Sequence, residues 1–70
     1  MAETMRHRSS YIAETQYEHS DGTLTVTFTD GQTYQYADVP RGLYTQMITS
    51  PSVGKAFRAL IRDSFEGEPV

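Results

Sequence analysis

The sequence contains no cysteine, and no apolar run approaches the roughly 18 residues that a membrane-spanning helix needs. Without cysteine, the chain forms neither a disulfide nor a thiolate metal site. The first ten residues, MAETMRHRSS, carry charges but no apolar segment, which argues against a secretory signal. We therefore expect a cytoplasmic protein of one domain that makes no membrane contact.

The residue patterns on which most catalytic sites depend are also missing. The two histidines, His7 and His19, make a poor metal site without cysteine. His19, Ser20 and Asp21 are consecutive, whereas the members of a catalytic relay converge from different elements. Neither a glycine-rich phosphate loop nor a GxSxG motif is present. We expect a protein that is not an enzyme and binds no cofactor or metal.

Basic residues are scarce, since six lysines and arginines stand against nine acidic residues, for a formal net charge of -3. This balance argues against an obligate, high-affinity nucleic-acid binder, because neutralising phosphates supplies most of that affinity. The charges are unevenly distributed. Residues 9–39 contain no lysine or arginine, whereas residues 40–65 contain four basic residues and only Asp63 as an acid. The chain combines an acidic first half with a basic second half.

Alternating apolar and polar residues predict three strands in the first half of the chain. The clearest is TLTVTFT, in which Leu24, Val26 and Phe28 alternate with threonines. The predicted strands are residues 10–18, 23–29 and 32–37. Residues 1–8 lack such periodicity, and we predict a disordered leader there.

Helical patterns follow from Pro40 onward. This proline suits a first helical position, where its missing N–H costs nothing, and Ser50 is predicted to cap a second helix. Apolar residues at helical spacing over residues 53–65 mark the core-facing side of that helix. Residues 66–70 are predicted to be a frayed tail. The result is one α+β domain over residues 9–65, with two helices packed on one face of a three-stranded antiparallel meander (β-β-β-α-α).

The loop between the second and third predicted strands decides where Tyr34 and Tyr36 point. A two-residue turn would place both on the threonine face, where they could stack on a ligand. A three-residue loop with Gly31 in the left-handed conformation would instead oppose Tyr34 to Val26. It would likewise oppose Tyr36 to Leu24. Because the helices need an apolar face to cover, we favour the second register and predict that both tyrosines belong to the core.

Lys55, Arg58 and Arg62 recur at a spacing that places them on one side of the second helix. One interpretation is a surface that contacts nucleic-acid phosphates, extended by Arg41 from the first helix. The simpler interpretation is the solvated side of an amphipathic helix, with Arg58 and Arg62 paired to acidic strand residues. The sequence alone leaves both interpretations open.

Four short stretches match the pattern of one known family. They are Thr23-Leu24-Thr25-Val26, Tyr34-Gln35-Tyr36, Val39-Pro40 and Ser52-x-Gly54-x-x-Phe57. Together they resemble the KTSC domain over about residues 9–65, with Thr15 as a departure where an aliphatic residue is expected. KTSC domains are small modules that occur alone in bacterial proteins and at the C-terminus of some lysyl-tRNA synthetases. The resemblance implies a bacterial module without established activity, whose synthetase context suggests RNA binding.

From these observations we expect a non-catalytic binding module whose partner is RNA or an RNA-associated protein. The basic residues Arg41, Lys55, Arg58 and Arg62 are its candidate nucleic-acid contacts. The alternative is a protein–protein interaction module or homodimer, because a three-stranded sheet leaves two edges open to pairing.

Overall fold

A single antiparallel sheet of five strands organises the chain in the computed structural model, which describes all 70 residues. The strands lie side by side in chain order, so every connection joins neighbours. They are β1 (Ala2–Arg6), β2 (Ile12–Glu18), β3 (Thr23–Phe28), β4 (Thr33–Tyr36) and β5 (Gly67–Pro69). The predicted α+β class and antiparallel meander are confirmed, but the sheet has five strands rather than three.

The two additional strands occupy segments for which disorder was predicted. β1 lies within the predicted leader, residues 1–8, and β5 lies within the predicted tail, residues 66–70. Both segments are mostly exposed and lack apolar alternation, so their sequences carry no strand signal. They are ordered by pairing with β2 and β4, whose outer backbone groups would otherwise be edges. The predicted leader and frayed tail are therefore wrong for these residues.

The register between β3 and β4 follows the predicted three-residue loop. Val26 lies opposite Tyr34, and Leu24 lies opposite Tyr36. Gly31 has a φ of 93°, a conformation that costs a glycine little. Tyr36 is 5 % exposed in the core, whereas Tyr34 is half-buried at its margin. The register prediction is confirmed, and the two tyrosines differ in how deeply they lie.

Two helical segments cover the apolar face of the sheet. They are α1 (Arg41–Ile48) and α2 (Val53–Phe57), which continues as a π-helical turn (Arg58–Arg62). Pro40 stands at the N-cap position of α1 with extended backbone and no side-chain cap hydrogen bond, so the helix begins at Arg41, one residue after the predicted first helical position. Ser52 caps α2 by accepting from the Lys55 N–H at 3.4 Å, so the predicted cap at Ser50 is wrong. The Ser50 Oγ instead accepts from the Ser52 N–H at 3.2 Å, within the preceding turn.

The core lies between the helices and the sheet. Its eleven apolar members are Ile12, Tyr17, Leu24, Val26, Tyr36, Val39, Tyr44, Met47, Val53, Phe57 and Ile61. Leu24 and Val26 alternate along β3 as the period of two requires. Ile12 and Tyr17 are an odd number of residues apart, and both reach the core because the β2–β3 register shifts between Ile12 and Glu14. The helical members come from the inner sides of α1 and α2. None of the helices is both long and apolar enough to span a bilayer.

Candidate nucleic-acid interface

An open depression of about 390 Å³ lies where the starts of β2 and β4, the end of β3 and the second helical segment meet. We call it the aromatic pocket. Its apolar lining consists of Tyr11, Phe28, Tyr34, Tyr36 and Phe57. Three of these rings, those of Tyr11, Phe28 and Tyr34, are half-buried rather than sealed in the core. The pocket is therefore an opening in the core through which aromatic surface reaches solvent.

The rings of the aromatic pocket hold one another at fixed angles. The Phe28 centroid lies 5.0 Å from that of Tyr11, 5.5 Å from that of Phe57 and 6.0 Å from that of Tyr34. The interplanar angles are 46°, 68° and 72°, so none of these pairs is stacked face to face. Tilted and edge-to-face packing of this kind is favourable for aromatic pairs. The walls of the pocket are thus formed before any ligand binds.

Backbone hydrogen bonds on both sides determine the position of Tyr11. The Tyr11 N–H donates to the Ser9 Oγ at 3.0 Å, and the Tyr11 carbonyl oxygen accepts from the Thr29 N–H at 3.0 Å. Gly54 allows α2 to approach Tyr11 closely, because a Cβ at position 54 would lie 3.3 Å from the Tyr11 Cβ. A glycine at the start of a helix therefore has a packing reason here.

Two arginines flank the aromatic pocket. Arg62 lines it directly. The Arg58 guanidinium carbon lies 4.4 Å from the Tyr11 ring centroid, within the range of a cation–π contact. Lys55 and Arg58 also line a second depression of about 160 Å³, which we call the basic depression. Tyr11 lines both depressions, so the two are adjacent.

The structure does not contain the ion pairs expected between these arginines and acidic strand residues. Arg62 instead contacts its neighbour Asp63, with 3.5 Å between Nε and Oδ1, and both side chains are largely exposed. Such exposed pairs contribute little to stability. Lys55, Arg58 and Arg41 take part in none of the four salt bridges of the molecule. Their charges are available to a ligand.

The four candidate basic residues are not equivalent in space. Lys55, Arg58 and Arg62 surround the two adjoining depressions. Arg41 is exposed at the first turn of α1 and lines neither of them. The structure therefore brings three of the predicted contacts together and leaves the fourth apart.

The turn between β3 and β4 supplies an acidic group to the aromatic pocket. Asp30 and Gln32 both line it, and the Asp30 Oδ1 accepts from the Gln32 N–H at 3.0 Å. This bond holds the carboxylate in place and leaves Oδ2 without a partner inside the protein. The pocket thus combines one anionic group, one cationic group and aromatic walls.

Sequence reasoning missed Tyr11, Phe28 and Phe57 as members of a site. All three follow apolar patterns that normally mark a core: Phe57 belongs to the core, and Tyr11 and Phe28 pack against it. One signal was available for Tyr11. It directly follows Ser9 and Ser10, so it lies where β2 begins and where the core meets solvent.

A different cluster lies at the far end of β2. The Glu3 carboxylate joins two partners there, with Oε1 3.0 Å from the His19 Nε2 and Oε2 accepting from the Tyr44 hydroxyl at 3.2 Å. The hydrogen bond with His19 lowers the pKa of Glu3 below its ordinary value. Burial, with Glu3 nearby, raises the pKa of Tyr44 to about 12. The Tyr44 ring stacks on Tyr17 at 4.4 Å, so the two tyrosines are buried while Glu3 and His19 stay partly exposed, and the cluster attaches β1 to the core.

The unexpected Thr15 has a partner that the sequence did not reveal. Thr15 is fully buried, and its Oγ1 is hydrogen-bonded to the His7 Nε2 at 2.8 Å. Burial lowers the pKa of His7, which favours the neutral ring. A polar residue is tolerated in the core here because a second segment satisfies it. No three His, Cys, Asp or Glu side chains converge as metal ligands would.

Comparisons with known proteins agree with the fold. The KTSC domain model matches residues 8–65. The lysine–tRNA ligases of Trichormus variabilis and Nostoc punctiforme are 33 % and 31 % identical over 64 residues, which is 91 % of this chain but 11 % of each ligase. The crystal structure of a KTSC domain protein from Yersinia pestis is 25 % identical and superposes with a TM-score of 0.90 over 100 % of this chain and 99 % of that one. On sequence and structure together, the chain belongs to the KTSC domain family.

Proposed function

We propose that this KTSC domain is a non-catalytic module that binds RNA through Lys55, Arg58 and Arg62. The observation that carries the proposal is the grouping of these three cations around exposed aromatic surface, two of them without any carboxylate partner. Cations contribute the phosphate contacts on which RNA affinity depends, and aromatic rings contribute stacking. Neither feature alone is specific, but their combination is typical of RNA-binding surfaces.

The names and lengths of the relatives also support an RNA-binding module. Their names identify them as ligases that join lysine to tRNA, and this chain spans 11 % of their length. A segment of that size cannot carry the whole activity of the ligase, whereas it is long enough for an auxiliary binding module. We therefore assign to this chain the binding of RNA and not the chemistry of aminoacylation.

The net charge of the chain is compatible with this proposal. The -3 total is distributed unevenly, because the helical segment over residues 53–62 contains three basic residues and no acidic one. A surface that neutralises two or three phosphates gives modest affinity with a clear salt dependence. We therefore expect binding that is detectable at low salt and weak at physiological salt.

The test is a titration of the isotope-labelled chain with tRNA and with short single-stranded RNA, followed by backbone amide shifts. Shifts should concentrate around Lys55, Arg58 and Arg62. Replacing Arg58 and Arg62 together by alanine should weaken binding and lower the slope of log affinity against log salt by about one per lost phosphate contact. Arg41→Ala removes one positive charge outside the two depressions and is the matched control for each single substitution, Arg58→Ala and Arg62→Ala. Absence of binding to either RNA at low salt would sink the proposal.

A homodimer formed through a sheet edge is the second candidate. The observation in its favour is the outer side of β1, five residues long and exposed, with Met5 36 % exposed. The edges expected to pair, those of β2 and β4, are already covered by β1 and β5. β5 is a weaker edge because it is short and contains Pro69. Light scattering over rising concentration tests this candidate, and a constant monomer mass rejects it.

A further inference from the structure

The two adjoining depressions together match the two parts of one nucleotide. We propose that they bind an unpaired nucleotide of single-stranded RNA, with its base in the aromatic pocket and its phosphate in the basic depression. This inference rests on the proposed RNA binding and adds the form of RNA and the placement of base and phosphate.

The aromatic pocket has the size and lining that an unpaired base requires. Its volume of about 390 Å³ falls in the range of small-ligand sites, roughly 300–1,000 Å³. The half-buried rings of Tyr11, Phe28 and Tyr34 offer aromatic surface to a planar ligand. The bases of an RNA duplex are stacked on one another and cannot reach such a surface, whereas unpaired bases can. The pocket therefore selects single strands over duplexes.

The basic depression has the groups that a phosphate requires. It contains Lys55 and Arg58 and no acidic side chain. Ser9 also lines it, and its Oγ already accepts from the Tyr11 and Ile12 N–H groups at 3.0 and 3.2 Å. The hydroxyl proton of Ser9 is consequently free to be donated to a phosphate oxygen. Two positive charges and an oriented hydroxyl thus point to an anion.

The charges also determine which part of the nucleotide enters which depression. The aromatic pocket contains Asp30 as well as Arg62, so it holds one charge of each sign. A phosphate would be repelled by the Asp30 carboxylate, whereas the N–H groups of a base edge can donate to its unpaired oxygen. The basic depression offers only positive charge, and Arg58 lies over the Tyr11 ring at the boundary. Base and phosphate are therefore assigned to opposite sides of Tyr11.

The unmodified chain tests this placement with two small probes, adenosine 5′-monophosphate and ribose 5-phosphate, each followed by amide shifts. The nucleotide should shift residues of both depressions, including Gln32 and Tyr34. Ribose 5-phosphate lacks the base and should shift only the surroundings of Ser9, Lys55 and Arg58. Identical shift patterns for the two probes, or none at Gln32 and Tyr34, would overturn the assignment of the base.

A second arm compares a short single-stranded RNA with its duplex. Tyr34→Leu keeps apolar volume but removes the aromatic face, and it should weaken single-strand binding about five- to a hundredfold while leaving duplex binding unchanged. Tyr34→Phe retains the ring and should bind like the unmodified chain. A folded amide spectrum is required of each variant. If Tyr34→Leu does not fold, the two small probes still decide the placement.

The outcomes separate this inference from the proposed function. Equal binding of single strands and duplexes, lost on Arg58→Ala but not on Tyr34→Leu, rejects the base pocket and leaves RNA binding intact. No binding of any RNA at low salt rejects both. Preference for single strands, with loss on Tyr34→Leu and recovery on Tyr34→Phe, supports both.

Discussion

The two ends of β2 use the same residue type in opposite ways. At the far end, the Tyr17 hydroxyl donates to the Val39 carbonyl at 2.6 Å and the Tyr44 hydroxyl donates to Glu3. At the near end, Tyr11 and Tyr34 contribute rings to the aromatic pocket. Among the tyrosine hydroxyls only those of Tyr17 and Tyr44 donate to a protein group. No polar side-chain atom is left buried without a partner anywhere in the chain. The near end, which we call the open end, therefore leaves its tyrosine hydroxyls in solvent, whereas both tyrosines of the far end, the closed end, are buried and paired.

Whether a tyrosine hydroxyl is paired inside the protein distinguishes structural tyrosines from candidate site tyrosines more clearly than residue type does. A buried hydroxyl must be paired, so the tyrosines of the far end are committed to the fold. A tyrosine whose ring packs while its hydroxyl remains in solvent keeps surface for a ligand. Predictions of site residues in small domains should therefore ask whether each tyrosine is satisfied internally. Here that criterion points to the near end of β2, which is also where Lys55, Arg58 and Arg62 lie.

The largest expected effect is a loss of stability when a buried tyrosine of the closed end is removed. Tyr44 is 1 % exposed and stacked on Tyr17, so Tyr44→Ala should cost about 3–5 kcal/mol of unfolding free energy. In a domain of this size such a loss removes most of the stability. Urea unfolding or loss of amide shift dispersion measures it. Tyr34→Leu at the open end is the comparison, and an equal cost there would contradict the distinction between the two ends.

A smaller effect is expected where β5 borders the open end. A Cβ on Gly67 would lie 2.6 Å from the Tyr36 Cε2, so a side chain at this position would force either the Tyr36 ring or β5 to move. Gly67→Val should release β5, at a cost of about 1–3 kcal/mol. Amide hydrogen exchange at Glu68 and Val70 reports the release. Glu68→Val is the matched control, because this side chain is exposed and the strand should stay paired.

Arg58→Ala tests whether this arginine at the open end contributes to RNA affinity rather than to stability. The substitution removes a cation–π contact with Tyr11 worth about 0.5–1 kcal/mol at an exposed site. The unfolding midpoint should therefore change little while RNA affinity falls. Arg41→Ala should change neither. A large loss of stability for Arg58→Ala would show that this arginine serves the fold rather than a ligand.

The smallest expected effect is a dependence of the stability of β1 pairing on pH. Burial lowers the pKa of His7 from 6.5, so its neutral form stabilises the fold, and this contribution is lost as pH falls below 6.5 through the lowered pKa. The pKa of Glu3 is lowered from 4.5, so its contribution is lost at still lower pH. The protection factors of the β1 amides, which correct for the pH dependence of intrinsic exchange, should fall in that order. His7→Gln does not titrate and should remove the first step only; an unchanged first step would contradict the role of His7.

Much of the fold follows from local patterns. The alternation of Leu24, Val26 and Phe28, together with a glycine at position 31, was sufficient to predict the β3–β4 register, because the loop length determines which side chains share a face. Pro40 likewise located the start of α1 to within one residue, because a proline is tolerated where the first helical N–H groups have no partner. The cap of α2 was missed by two residues, since Ser50 and Ser52 flank Pro51 and only the backbone angles of Ser52 place its oxygen at the helix.

The sequence by itself determined the core face of β3 and β4, the approximate helix positions and the grouping of Lys55, Arg58 and Arg62, all of which depend on neighbours within a few residues. Only the tertiary structure decided that the terminal segments form β1 and β5, because their order comes from strands distant in the chain. It also decided that Tyr11, Phe28 and Tyr34 open to solvent beside those cations. Local periodicity assigns a side chain to a face of its element, but the end of a sheet, where a core becomes a pocket, is defined only when separate elements meet.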